Sequence, residues 1–213
     1  MNPATLETWA HGYERRRTGR STVRQRPVIT SLTDIAGQRS IPFIGLVEAT
    51  VVQAFRRSQL PMQRIRKALE VLAAEGELEH ALASLALFTD GANVLYDYAK
   101  QARDGQLRLL TVVSSGQIVF HDVIAEYLER IAFDHDRWAT ELIVPVTPSP
   151  LLRVSPSVAS GDPIFIKGGA PLSAVYSRWR AGEAVESIAT DYDVPVNDIN
   201  EAIDALWPHK IAA

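Results

Sequence analysis

Residues 184–207, AVESIATDYDVPVNDINEAIDALW, constrain the fold more than any other stretch, because their apolar positions read as two short helices joined by a tight turn. Val185, Ile188, Ala189, Tyr192, Val194, Ile199 and Ala202 fall where a helix-turn-helix needs a small residue at the crossing and bulky ones at the contact between helices. The charge is wrong for DNA. The stretch carries Glu186, Asp191, Asp193, Asp198, Glu201 and Asp204 and no Lys or Arg, whereas each phosphate met in a groove is normally matched by a cation. Either the pair faces a basic protein surface or it is a compact helical module with a solvated acidic face.

The same polarity runs through the whole chain. Residues 1–70 hold twelve Lys/Arg against five Asp/Glu, and residues 71–213 hold ten against twenty. A reversal from +7 to −10 points to two surfaces with different partners, a polyanion for one and something basic for the other. At 213 residues with 46% hydrophobic side chains the chain can bury a real core, in one or two domains plus a connector. Ile41–Phe55, its most apolar run, is broken by Glu48 and Gln53 and is too short to span a membrane. With no signal-peptide pattern and no cysteine, a cytoplasmic protein without disulfides or cysteine-ligated metal is expected.

Two domains and a connector between them follow from the local patterns. In the first, residues 1–105, Pro3 opens a short helix closed by Gly12, and Tyr13–Arg26 supplies six arginines around Thr18-Gly19-Arg20-Ser21. That is the composition of a basic hairpin or wing, with Pro27-Val28-Ile29 as a candidate return strand and a loop from there to Ser40. A helix over about 43–58 carries Phe43, Val47, Val51 and Phe55 on one stripe. The next has Ile65, Ala68, Leu69 and Leu72 inward and Arg64, Arg66 and Lys67 outward, ending near Gly76. A short strand is expected at Val94–Tyr98. Residues 106–150 form a connector: a hairpin over 106–120, a helix with Val123, Ile124, Tyr127, Leu128 and Ile131 inward, and a strand at 138–144. Pro145, Pro148 and Pro150 then defeat helix and central strand alike, so the boundary to the second domain, 151–213, is placed there. This last domain has a strand at 151–155, a Gly/Pro-punctuated arm, a helix with Leu172, Val175, Tyr176 and Trp179 inward, and the acidic helical pair.

Catalytic chemistry is hard to find. Asp134-His135-Asp136 and His121-Asp122 are the places where imidazole and carboxylate adjoin, and neither has a zinc spacing. No nucleophile elbow or phosphate-cradling glycine loop occurs. A non-enzymatic protein with no cofactor and no metal is expected; a further alternative is a hydrolase using His135 with Asp134 and Asp136 on a metal. Residues 3–26 read as a nucleic-acid surface, with Thr5, Glu7, Thr8 and His11 toward bases and Arg15, Arg16, Arg17, Arg20, Arg24 and Arg26 on phosphates. A flexible basic arm is the rival reading.

From Leu151 onward, Gly161, Pro163, Lys167–Gly169, Ala181-Gly182-Glu183 and Ile188–Val194 stand in the order and spacing of a small domain. This stretch of about sixty residues resembles the tri-helical domain of unknown function, helix-turn-helix-like, found in antitoxins that accompany PIN-like ribonuclease toxins. Asp193 stands where that domain usually has glycine. Upstream, IPFIGLVEATVVQAFRRSQLPMQRIRKALEVLAAE resembles the N-terminal part of longer VapB-like antitoxins. The order helix, wing, helix, helix is similar to a MerR-type winged helix-turn-helix that opens at its recognition helix and lacks the one before it. A chain without that helix is expected to leave Leu6 and Trp9 uncovered.

The resemblance implies a mainly α protein with short β-hairpins (α+β): a truncated MerR-like winged helix-turn-helix, a hairpin and helix connector, and a tri-helical module. It implies an antitoxin of a type II toxin-antitoxin system that neutralises a PIN-like ribonuclease toxin and represses its own operon by binding operator DNA as a homodimer. Tyr192, Asp198, Glu201, Asp204, Trp207 and His209 are the expected toxin contacts, since large aromatics and desolvated charges dominate interfaces. The alternative is a MerR-like regulator that senses a small ligand and has no toxin partner.

Overall fold

Asn2 starts the first helix as its side chain accepts the Ala4 N–H at 2.9 Å, and Pro3 takes the position where a missing N–H costs nothing. This helix, α1 (Pro3–His11), ends at Gly12, whose φ of 70° frees the chain to turn into the hairpin. A Cβ on Gly12 would lie 2.1 Å from the Gln25 carbonyl oxygen, so only glycine fits. In this computed structural model the described residues are 2–15, 23–33, 39–57, 62, 63, 65, 66, 69, 70, 80–84 and 129–207. They fall into two units, one of residues 1–129 with 133–139, the other of 130–132 with 140–213.

In the first unit β1 (Tyr13–Arg15) pairs antiparallel with β2 (Val23–Gln25), so the arginine-rich segment does form a hairpin. The return strand is Val23–Gln25, which corrects the expectation for 27–29. There the Val28 and Ile29 amides donate instead to the Trp9 carbonyl, at 2.7 and 3.3 Å, and are spent on the end of α1. The stretch expected as a loop to Ser40 holds a two-residue ladder, β3 (Leu32–Thr33) with β4 (Arg39–Ser40). Trp9 and Ala10 are buried, against the expectation that this side of α1 would lack cover.

Helix α2 (Phe43–Arg57) buries Val47, Val51 and Phe55 on its expected stripe, with Val52 and Ala54 beside them. It also buries Glu48, which sequence treats as an interruption. The Glu48 carboxylate accepts the Thr30 N–H and faces His80 Nδ1 at 3.3 Å, while Thr30 Oγ1 lies 2.8 Å from the same ring nitrogen. Ile65 is buried farther along, and the short helical turn Ala81–Ala83 buries Leu82 and Ala83. The strand expected at 94–98, the hairpin at 106–120, the helix through 123–128 and the end of a helix at Gly76 lie outside the described residues.

The sheet order is β5 (Ile131–Phe133), β6 (Ala139–Ile143), β7 (Leu152–Val154), β8 (Ile164–Phe165). Ile131, expected on a helix, begins a strand: the adjacent Arg130 carbonyl accepts the Ile143 N–H at 2.7 Å, which commits this backbone to the ladder. Asp134 closes the turn between β5 and β6 by accepting the Trp138 N–H at 2.8 Å. The proline segment 145–150 connects β6 to β7, which pair directly, Leu142 opposite Val154. Within the second unit three helices follow, α3 (Leu172–Arg180), α4 (Val185–Tyr192) and α5 (Val196–Leu206). Their inner faces share one core with the sheet: Leu152, Phe165, Val175, Ile188, Ile199 and Ala202 are each at most 1% exposed. Burying these chains contributes about 1.5–3 kcal/mol apiece for the large ones, which is why so small a module holds together.

Candidate functional site

The N-terminal surface is built by α1 and the hairpin. Thr5 and Glu7 are exposed on α1, and Thr8 is half-buried with its hydroxyl donating to the Ala4 carbonyl at 2.8 Å. His11 is half-buried and engaged at both ring nitrogens, Nε2 3.2 Å from Glu7 Oε2 and Nδ1 3.4 Å from Ser31 Oγ. Its ring spans α1 and the segment after the hairpin. Arg15 and Arg24 sit on the two strands, Arg24 opposite Glu14 in register, and Arg26 is exposed just past β2. Arg16, Arg17 and Arg20 lie outside the described residues. Two aromatic and apolar side chains join this unit's surface unforeseen by sequence, Tyr13 at 46% and Leu32 at 54% exposed.

At the other end of the chain, α4 and α5 are the two short helices expected there, joined by a tight turn. Asp193 takes the glycine position of the turn with φ 53° and ψ 38°, a left-handed conformation that a short polar side chain tolerates better than most. Behind it stands the arm. Gly168, at φ 76°, approaches so closely that a Cβ would lie 2.3 Å from the Tyr192 carbonyl oxygen. Lys167 then reaches over the first turn of α5 to pair with Asp198 at 3.0 Å.

Arg178 organises the opposite flank. Its guanidinium binds Glu183 through two nitrogens, reaches Asp191 Oδ2 at 2.6 Å, and lies 5.3 Å from the Tyr192 ring centre. The hydrogen bond from Arg178 holds the Glu183 carboxyl below the usual carboxylate range, and the Glu183 carboxylate in turn raises the Arg178 pKa. Trp207 stacks on Tyr176 with ring centres 3.9 Å apart.

The expected contact residues therefore divide. Asp204 is exposed and Glu201 half-buried on the outward side of α5, whereas Asp198, Tyr192 and Trp207 already have partners inside the module. His209 lies outside the described residues. Sequence reasoning missed Lys167 and Arg178 because each meets a partner on a different element; two basic residues flanking an acidic helical pair were the available hint. Among the described residues no group of three His, Asp or Glu is arranged to hold a metal ion, and no helix is long and apolar enough to cross a membrane.

Residues 1–69 match a family described as "Putative DNA-binding HTH domain". Over 209 residues the chain is 38% identical to the Mycobacterium tuberculosis protein named "Putative antitoxin VapB45", covering 95% of this chain and 87% of that one. It is 26% identical over 217 residues to "Uncharacterized protein Rv2308" of the same organism, covering 98% and 85%. The crystal structure of Rv2018 from Mycobacterium tuberculosis is similar with a TM-score of 0.72 and 35% identity, over 94% of this chain and 90% of that one.

Proposed function

Because this chain belongs to the family of the protein named "Putative antitoxin VapB45", we propose that it is a non-enzymatic, DNA-binding antitoxin whose two ends serve two partners. Residues 1–69 hold operator DNA, and the module over 151–213 binds a toxin protein. The observation that carries the reading is the charge reversal aligned with the family match: residues 1–70, with a net +7, contain the segment that matches a DNA-binding domain. Arg15, Arg24 and Arg26, with Arg16, Arg17 and Arg20, neutralise phosphates, while Thr5, Thr8 and, once released from Glu7, His11 approach bases. The toxin is a PIN-like ribonuclease with a cationic surface, met by Glu201, Asp204 and the tail through His209. Tyr192, Asp198 and Trp207 shape that surface from beneath. A homodimer reads a palindromic operator and represses the chain's own operon.

Two measurements test the halves separately. Co-expression with the product of the adjacent gene is expected to yield a complex that survives purification; recovery of the chain alone refutes the toxin half. Binding to a duplex from upstream of its own gene is expected to weaken by about three orders of magnitude between 50 and 200 mM salt, on a counterion slope for six phosphate contacts. Absence of binding at low salt refutes the DNA half.

A further inference from the structure

The hairpin has an anchor that its own sequence does not contain. Arg66, expected to point outward from its helix, is half-buried and donates a guanidinium N–H to the carbonyl of Arg26, the first residue after β2. Beyond that point the Val28 and Ile29 amides are held by the Trp9 carbonyl, and Ser31 Oγ donates to the Ala10 carbonyl at 2.9 Å. The chain leaving the hairpin is thus tied to Arg66 at residue 26 and to the end of α1 at residues 28, 29 and 31. At the other leg, Gly12 brings α1 directly against the Gln25 carbonyl. Rotation of the hairpin about its base breaks at least one of these ties.

Burial lowers the Arg66 pKa, with the Tyr13 phenol and the Glu70 carboxylate acting in the other direction. The group stays charged, since arginine does not lose its proton in proteins. One of its donors is nevertheless spent on a backbone carbonyl inside the unit.

We propose that Arg66 is a positioning residue for DNA binding, which fixes the angle between the arginine hairpin and α1 so that both engage one duplex. The inference rests on the DNA-binding reading of residues 1–69. A hairpin without this tie keeps its arginines but has to be ordered on binding, and that cost falls on every phosphate contact it makes.

The test is Arg66→Gln, measured for binding to the upstream duplex across a salt series and for amide hydrogen exchange. A positioning role removes several contacts together, so the salt slope falls by more than about 2, and the amides of 13–15 and 23–25 exchange faster while those of α2 stay protected. A slope change of about 0.9 or less with unchanged ladder exchange makes Arg66 at most one phosphate contact and overturns the proposal. Arg66→Met, which keeps the half-buried stem, is read in the same way if the glutamine variant does not fold. Loss of fold in both shows a role wider than the hairpin and also overturns it. If the unmodified chain fails to bind DNA, the functional reading falls, while the exchange comparison still decides whether Arg66 anchors the hairpin.

Discussion

The N-terminal unit and the C-terminal module hold backbone segments together by opposite means. The first places a carboxylate in its interior: Glu48, 4% exposed, joins α2 to Thr30 and to His80, residues 18 positions before it and 32 after it. The second keeps a core of Leu, Ile, Val, Ala and Phe and leaves the ion pairs of Arg178 with Glu183 and Asp191 outside it, where they staple the helices at their ends. A buried charge tolerates little displacement because its desolvation is offset by partners at fixed positions. An apolar core with surface ions tolerates exchange of the ions but not of volume or backbone clearance. The difference teaches that the unit with the DNA-binding family match adds a buried polar geometry to its apolar packing, whereas the acidic module relies on packing.

Four changes would break or sharpen that contrast. The largest effect is expected for Phe165→Ala, which empties the centre of the C-terminal core and should cost about 3–5 kcal/mol in denaturant unfolding, with exchange rising in residues 151–207. Gly168→Ala comes next, at about 2–4 kcal/mol, because a left-handed backbone and a carbonyl in the way are both charged to one methyl group. Glu48→Ala should cost about 2–3 kcal/mol, confined by exchange to residues 1–84, since it leaves the Thr30 amide without its acceptor. If Glu48→Ala loosened the C-terminal module instead, the contrast would be wrong.

Arg178→Ala is expected to have the smallest effect, one that vanishes in about 0.5 M salt, because exposed ion pairs are screened. The pH dependence has a definite sign. Glu183 has its pKa lowered in the folded chain by Arg178, so its contribution is present above the ordinary carboxylate range and is lost as pH falls through its lowered value. Thermal scans of the Arg178→Ala variant should therefore converge with the parent in strong acid.

Much of this was legible in sequence. Pro3 with Gly12 marked α1, the four-residue spacing of Phe43, Val47, Val51 and Phe55 marked α2, and the small and bulky positions of 184–207 marked α4 and α5. These succeed because helix formation is dictated by residues three and four apart, which the sequence shows directly. The arginine hairpin was also visible, but its return strand was displaced from 27–29 to 23–25, since the fate of those amides depends on the Trp9 carbonyl. Ile131 failed for a related reason: a lone apolar residue at the end of a helical pattern carries no sign of the strand that will pair with it.

The candidate contacts divide along the same line. Sequence determined which side chains carry charge and which helices carry them, and therefore that residues 1–70 are basic and the rest acidic. Tertiary structure alone decided which of the charged and aromatic side chains already have partners. Asp198 is taken by Lys167 from the arm, Trp207 by Tyr176, His11 by Glu7 and Ser31, and Arg66 by the Arg26 carbonyl. Periodicity acts over a few residues, whereas a hydrogen bond or an ion pair is set by distance in space, and folding brings together groups that the chain keeps forty and fifty residues apart.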